Sequence, residues 1–114
     1  MVHKRFLGIG SSIHTMSDGF VRLRPGIERK PLAVNKGLGV QADIMRIAPN
    51  FKDTPHTHDG FEWVYILEGR LTDERGTHKA GEFIINTTEG IHQPSTGEDG
   101  CTLIIFWTGS VTKA

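Results

Sequence analysis

Cysteine is almost missing from this chain of 114 residues: Cys101 stands alone. Without a second thiol there is no intrachain disulfide, which excludes a disulfide-stapled secreted domain. An excess of either charge is missing as well. Lys+Arg and Asp+Glu are each 13, so the formal net charge is zero. Non-specific nucleic-acid binding needs a basic excess, so no nucleic-acid partner is expected. No apolar run approaches the roughly 20 residues of a membrane helix. The apolar stretch 6–9 behind Lys4 and Arg5 is shorter than the ~7–15 residues of a secretory signal core. The chain therefore reads as cytoplasmic, with no membrane partner. A convincing helical period is also lacking, and the 14 glycines are dispersed rather than gathered into a linker.

What the chain does have is strand pattern. Its length suits one domain. Val40, Ala42 and Ile44 alternate with Gln41 and Asp43, and Met45–Ile47 extends the run to a Pro49-Asn50 turn. Residues 61–67, 82–86 and 102–107 are further strands, rich in aromatic and β-branched residues. Asp73-Glu74-Arg75-Gly76 reads as a hairpin turn between Leu71-Thr72 and Thr77-His78. Phe20–Arg24 and Lys30–Val34 are earlier candidates, and Pro31 marks the latter as an edge strand or a strand start. Short strands separated by regular turns predict an all-β sandwich or barrel. Residues 1–19 form an N-terminal arm or an added edge strand, and residues 20–114 a single domain. Charge is divided along the chain: residues 1–50 carry +5 and residues 51–114 carry −5. Two solvated faces are the simpler account, and attraction within the fold or across a homodimer is the alternative.

The chemistry-bearing segment is Pro55-His56-Thr57-His58-Asp59-Gly60-Phe61-Glu62, closing at Gly69. On an extended strand, residues two apart share a face, so His56 and His58 project together. Glu62 keeps the same parity. Imidazole nitrogen and carboxylate oxygen suit a borderline divalent ion. His92, behind a strand and a Gly-containing turn, is the best fourth ligand. A His-x-His pair alone arises by chance roughly a quarter of the time at this composition. The full spacing through Glu62 and Gly69 falls to roughly two in a thousand.

These residues resemble the first motif of the cupin superfamily, G-x5-H-x-H-x3–4-E-x6-G, with Asn50 at the first glycine. Asn tolerates the left-handed conformation that such a turn uses. Against the second motif, G-x5-P-x-G-x2-H-x3-N, Gly81 and His92 match. Thr87, Glu89 and Thr96 replace the proline, the glycine and the asparagine, so the departures fall on the loop around His92 and leave the ligand in place. Ala48-Pro49, Pro55–His58, Leu67–Gly69, Thr72–Glu74, Ala80–Phe83, Asn86, His92, Pro94 and Gly100–Thr102 narrow the resemblance to the ChrR-like cupins, over residues ~38–107. The resemblance implies a double-stranded β-helix, or jelly-roll barrel. It implies one divalent metal ion (Zn, Fe, Mn or Ni) on His56, His58, Glu62 and His92. Anti-sigma activity is not carried over, because it requires a separate helical zinc domain.

Other residues have plainer readings. Cys101 opens an apolar strand as a small packed thiol. His3, His14 and His78 are expected at the surface. Trp63, Tyr65 and Leu67 have the parity opposite to Glu62 and are expected in packing against a second sheet, unless an exposed aromatic stripe marks a dimer interface. Val64 and Ile66 are expected to line the metal cavity. No catalytic residue is assigned. The functional reading is a mononuclear metal-binding cupin, dioxygenase-like toward a small carbonyl or enol compound. Its alternative is a metal-containing module that senses a small ligand or oxidant without catalysis. A small molecule and a second copy of the chain are the expected partners.

Overall fold

The computed structural model describes residues 10–16 and 18–114. The arm or edge strand expected over residues 1–19 therefore lies partly outside the described residues, as does His3. The described residues form strands and no helix: β1 (Val21–Arg24), β2 (Ile27–Asn35), β3 (Val40–Ile47), β4 (His56–His58), β5 (Glu62–Asp73), β6 (Gly76–Lys79), β7 (Phe83–Asn86), β8 (Cys101–Thr108) and β9 (Val111–Lys113). No described helix is long and apolar enough to cross a membrane. The main sheet runs β1-β2-β3-β8-β5, and β5 also pairs with β7 and β6. Every pairing is antiparallel. A second layer is built by β4 with β9, and by single bridges joining Lys52 and Thr72 to Ser95 and His56 to His92. This is the all-β jelly-roll expected from the sequence.

β5 joins the two layers. Its register against β8 shifts between Ile66 and Glu68, which leaves Leu67 as the extra residue of a bulge. A bulge bends its strand and resets the alternation of faces. Before it the buried residues are Val64 and Ile66; after it they are Leu71 and Asp73. The first half of β5 pairs with β7 and β8, and the last four residues pair with β6. Val64, Ile66, Leu71, Ile84, Cys101, Leu103 and Ile105 make the core.

Two sequence expectations change here. Trp63 and Tyr65 are not packed in the interior. They stand about two-fifths exposed beside Phe83, Ile85 and Phe106, because no strand among the described residues covers the outer face of β7, β5 and β8. Phe61 stacks on Trp63 with centroids 4.5 Å apart. Leu67, at the bulge, is half-buried. Pro31 lies in the middle of β2, which is flanked by β1 and β3. It is tolerated because the pairing with β1 reaches no further than Arg29, and the register against β3 shifts between Pro31 and Ala33.

Residues 10–16 and 18–20 contain no strand. The ammonium of Lys30 donates to the carbonyl of His14 at 2.7 Å, and the Arg46 guanidinium lies 3.7 Å from the centre of the Phe20 ring. These contacts lay the segment against the main sheet.

Candidate metal centre

The backbone sets the histidines before any side chain does. Asn50 has φ 55°, the only positive φ outside glycine among the described residues, as the turn at the first motif position requires. Its neighbour Phe51 donates its amide to Thr96 Oγ1 at 3.0 Å, and Thr96 Oγ1 donates to the Ala48 carbonyl at 2.6 Å. The residue that replaces the motif asparagine thus ties the turn to the loop carrying His92. At the other end of the motif, Gly69 has φ +76°, and a Cβ there would run into the Gly100 carbonyl. Between these points, His56 and His92 exchange backbone hydrogen bonds of 2.9 and 2.8 Å. Asp59 accepts from the Ser110 hydroxyl at 2.7 Å, which fastens the end of β4 to the turn before β9.

The strand alternation and this bridge bring His56, His58 and His92 together. All three are buried, and one nitrogen of each lies within 4.8 Å of the others, so the trio could hold a metal ion. Ring centroids are 4.9, 5.2 and 5.7 Å apart. Partners assign two of the tautomers. His56 Nδ1 lies 2.8 Å from the Thr54 carbonyl, which can only accept. His92 Nδ1 lies 3.1 Å from the Glu74 carboxylate. Each Nδ1 therefore carries the proton, and each Nε2 keeps its lone pair. His58 Nε2 is buried with no hydrogen-bond partner. Burial holds the His58 pKa below its ordinary value; Glu62 opposes this shift, while His56 and His92 reinforce it. A neutral ring with a sealed, unused lone pair, beside two others presented by fixed Nδ1 partners, is a donor set that fits a divalent ion.

Glu62, the fourth ligand expected from the sequence, lies beside the three rings. It is outside the 4.8 Å trio. One oxygen lies 3.5 Å from His58 Nδ1 and the other accepts from Asn86 Nδ2 at 2.8 Å. Asn86 is buried and its own carbonyl accepts from Arg75, which also donates to Asp73 at 2.7 Å. Glu62 is thus held at the edge of the trio by the chain Arg75–Asn86–Glu62.

Sequence reasoning missed these supports. Glu74 and Arg75 are the two tip residues between β5 and β6, and both act on the site. Glu74 takes His92 Nδ1 and the Gln93 amide. Burial alone would raise the pKa of Glu74, but its backbone and His92 hydrogen bonds outweigh that and lower it. The available signal was the acidic residue at a tight turn near the ligand motifs. Asp73, Glu74 and His92 form a second convergent group, but Asp73 is already satisfied by Arg75 and by His78 Nε2 at 3.0 Å. Burial would raise Asp73, yet these hydrogen bonds bring its pKa down to about 2. His78 is accordingly half-buried and bonded rather than free at the surface; His14 is exposed as expected. Cys101 is buried, and burial pushes its thiol up to about 11, as suits a packed residue.

Two of the trio, His56 and His92, open on a cavity of about 400 Å³ between the two layers. His56, His92, Glu62 and Asn86 lie on its wall, with Val64, Met45, Leu103, Ile105 and Trp107 from the main sheet. Val64 lines the cavity as expected; Ile66 is packed in the core instead and does not reach it.

No curated protein matches the chain. Solved structures share the fold. KdgF from Halomonas sp. aligns with TM-score 0.74 at 20% identity, over 89% of this chain and 94% of that one. An acetylacetone dioxygenase from Acinetobacter johnsonii gives 0.78 at 14% identity, over 97% and 83%. The Rhodobacter sphaeroides complex of SigE with the anti-sigma ChrR gives 0.68 at 24% identity, over 78% of this chain and 48% of that one. The profile of the ChrR cupin-like domain matches residues 10–111, and with nearly the whole chain inside that match the protein belongs to the ChrR cupin-like family.

Proposed function

We propose that His56, His58 and His92, with Glu62 as an anionic fourth ligand, hold one divalent metal ion, and that the site acts on a small carbonyl or enol compound in the manner of a dioxygenase. The observation that carries the metal is the buried, unpartnered Nε2 of His58 among the converged rings. Such an ion, when bound, would supply positive charge for polarising an enol or carbonyl oxygen. The chain's own residues do the rest. Thr54 and Glu74 hold the Nδ1 protons of His56 and His92, and Asn86 holds Glu62 beside His58. Val64, Leu103 and Ile105 keep the cavity wall apolar, which strengthens electrostatic interactions inside it. The likeness to an acetylacetone dioxygenase supports testing diketones first.

The test is elemental analysis of protein purified without a nickel column, followed by oxygen uptake with β-diketones and hydroxyacetophenones. Stoichiometric metal with uptake supports the enzyme. Stoichiometric metal with no uptake, and a ligand-induced change at the site, supports the sensing module. Absence of metal overturns both.

A further inference from the structure

We propose that the cavity takes a small organic anion, whose carboxylate is seated on Arg29. This names the substrate class of the site proposed above; it rests on that reading only in placing the ligand in this cavity, and the seat itself needs no ion. Arg29 alternates with Ile27 on β2, and both side chains line the cavity. Its Nε is buried and without a hydrogen-bond partner. A guanidinium cannot shed its charge, and a buried donor left unpaired is destabilising.

The acids on the cavity wall do not relieve it. Asp43 is fully buried, with its oxygens taken by Gln41 and by Trp107 Nε1, each at 2.7 Å. Asp53 receives Arg24 on both oxygens, at 3.0 and 2.8 Å. Glu62 is held by Asn86 and faces His58. The other lining arginine, Arg24, is thereby neutralised, and among the described residues Arg29 is left as the unpaired guanidinium of the wall. A carboxylate approaching side-on satisfies Nε and a terminal nitrogen together, as two parallel charge-assisted bonds. Met45, Leu103 and Ile105 on the same wall offer apolar surface for the body of the ligand. The volume is in the range of small-molecule sites.

The experiment measures calorimetric binding of acetoacetate and phenylpyruvate against their neutral amides, using the full chain as purified. Each carboxylate should bind at least ten-fold more tightly than its amide. Arg29→Met should abolish that preference while leaving amide affinity within two-fold, and its melting temperature should equal or exceed that of the wild type. Arg29→Lys should keep part of the preference. Equal binding of acid and amide, no binding of either, or an undiminished preference in Arg29→Met overturns the proposal. So does a lowered melting temperature in both variants, which would make Arg29 a structural residue satisfied by buried water. Metal content is measured on the same samples: a carboxylate preference in metal-free protein sinks the metal reading and leaves this one standing.

Discussion

Glu74 reaches from the tip of the β5–β6 hairpin to accept the Nδ1 proton of His92, 3.1 Å away across 18 residues of chain. The same carboxylate also receives the Gln93 amide, so a single side chain fixes both the ring and the backbone beside it. A partner of this kind sets the tautomer and raises the basicity of the ligating nitrogen. Glu74→Gln should weaken divalent-metal affinity by about 10–100-fold, read by competition with a chromophoric chelator. Unchanged affinity would show that His92 is oriented by its backbone pairing alone.

Glu62→Gln and His92→Ala separate the roles at the trio. His92→Ala removes one of three converged nitrogens and should lose more affinity than Glu74→Gln does. Glu62→Gln preserves shape but not charge. For a closed structural site it should mainly lower metal content and melting temperature. For an open catalytic site the histidines retain the ion, and turnover falls more than stability does. Wild-type metal binding by His92→Ala would refute the assignment.

Acid should destabilise the fold in two windows. Burial holds the folded pKa of His58 below the ordinary histidine value of 6.5. A histidine lowered by folding contributes stability above its unfolded pKa, and that stability is lost as pH falls through the folded value. Metal leaves in the same direction, since protons compete for the nitrogens. Asp73 falls from 3.8 to about 2. Its contribution of about 2 kcal/mol is fully present only above the unfolded value, from about pH 5 upward, and is lost as pH falls through the folded value. Denaturant midpoints from pH 8 to pH 2 should show both limbs, and Asp73→Asn should flatten the lower one.

The aromatic stripe of Trp63, Tyr65, Phe83 and Phe106 is an exposed apolar face on a small barrel. We expect a two-fold homodimer closed over it. Sedimentation at micromolar concentration should give a dimer, and Trp63→Glu should shift it to monomer with no loss of metal. A stable wild-type monomer would refute this.

Much of the fold was legible because its strands announce themselves: β3 was read from Val40 to Ile47 residue for residue. The histidines were legible because a period of two is a local property. The outward position of Trp63 followed from the parity that also sends Glu62 inward; what sequence could not supply was whether another layer lies opposite. The bulge at Leu67 was hidden for a related reason, since an inserted residue is defined by its partner strand. The parts that Glu74, Arg75 and Asn86 play at the site were hidden because the partners that define them lie 11 to 24 residues away in sequence.

The reciprocal amide bonds between His56 and His92 bear on how an ion would be chosen. Two of the three imidazoles are anchored by main-chain hydrogen bonds to each other, so their spacing is set by the backbone as well as by whatever the rings hold. Imidazole nitrogens accept most first-row divalent ions. Affinity alone would rank first-row ions by the Irving–Williams order, with copper and zinc ahead of iron and manganese. The resident metal would then be decided by cellular supply, and overexpressed protein should carry whichever ion its growth medium provides.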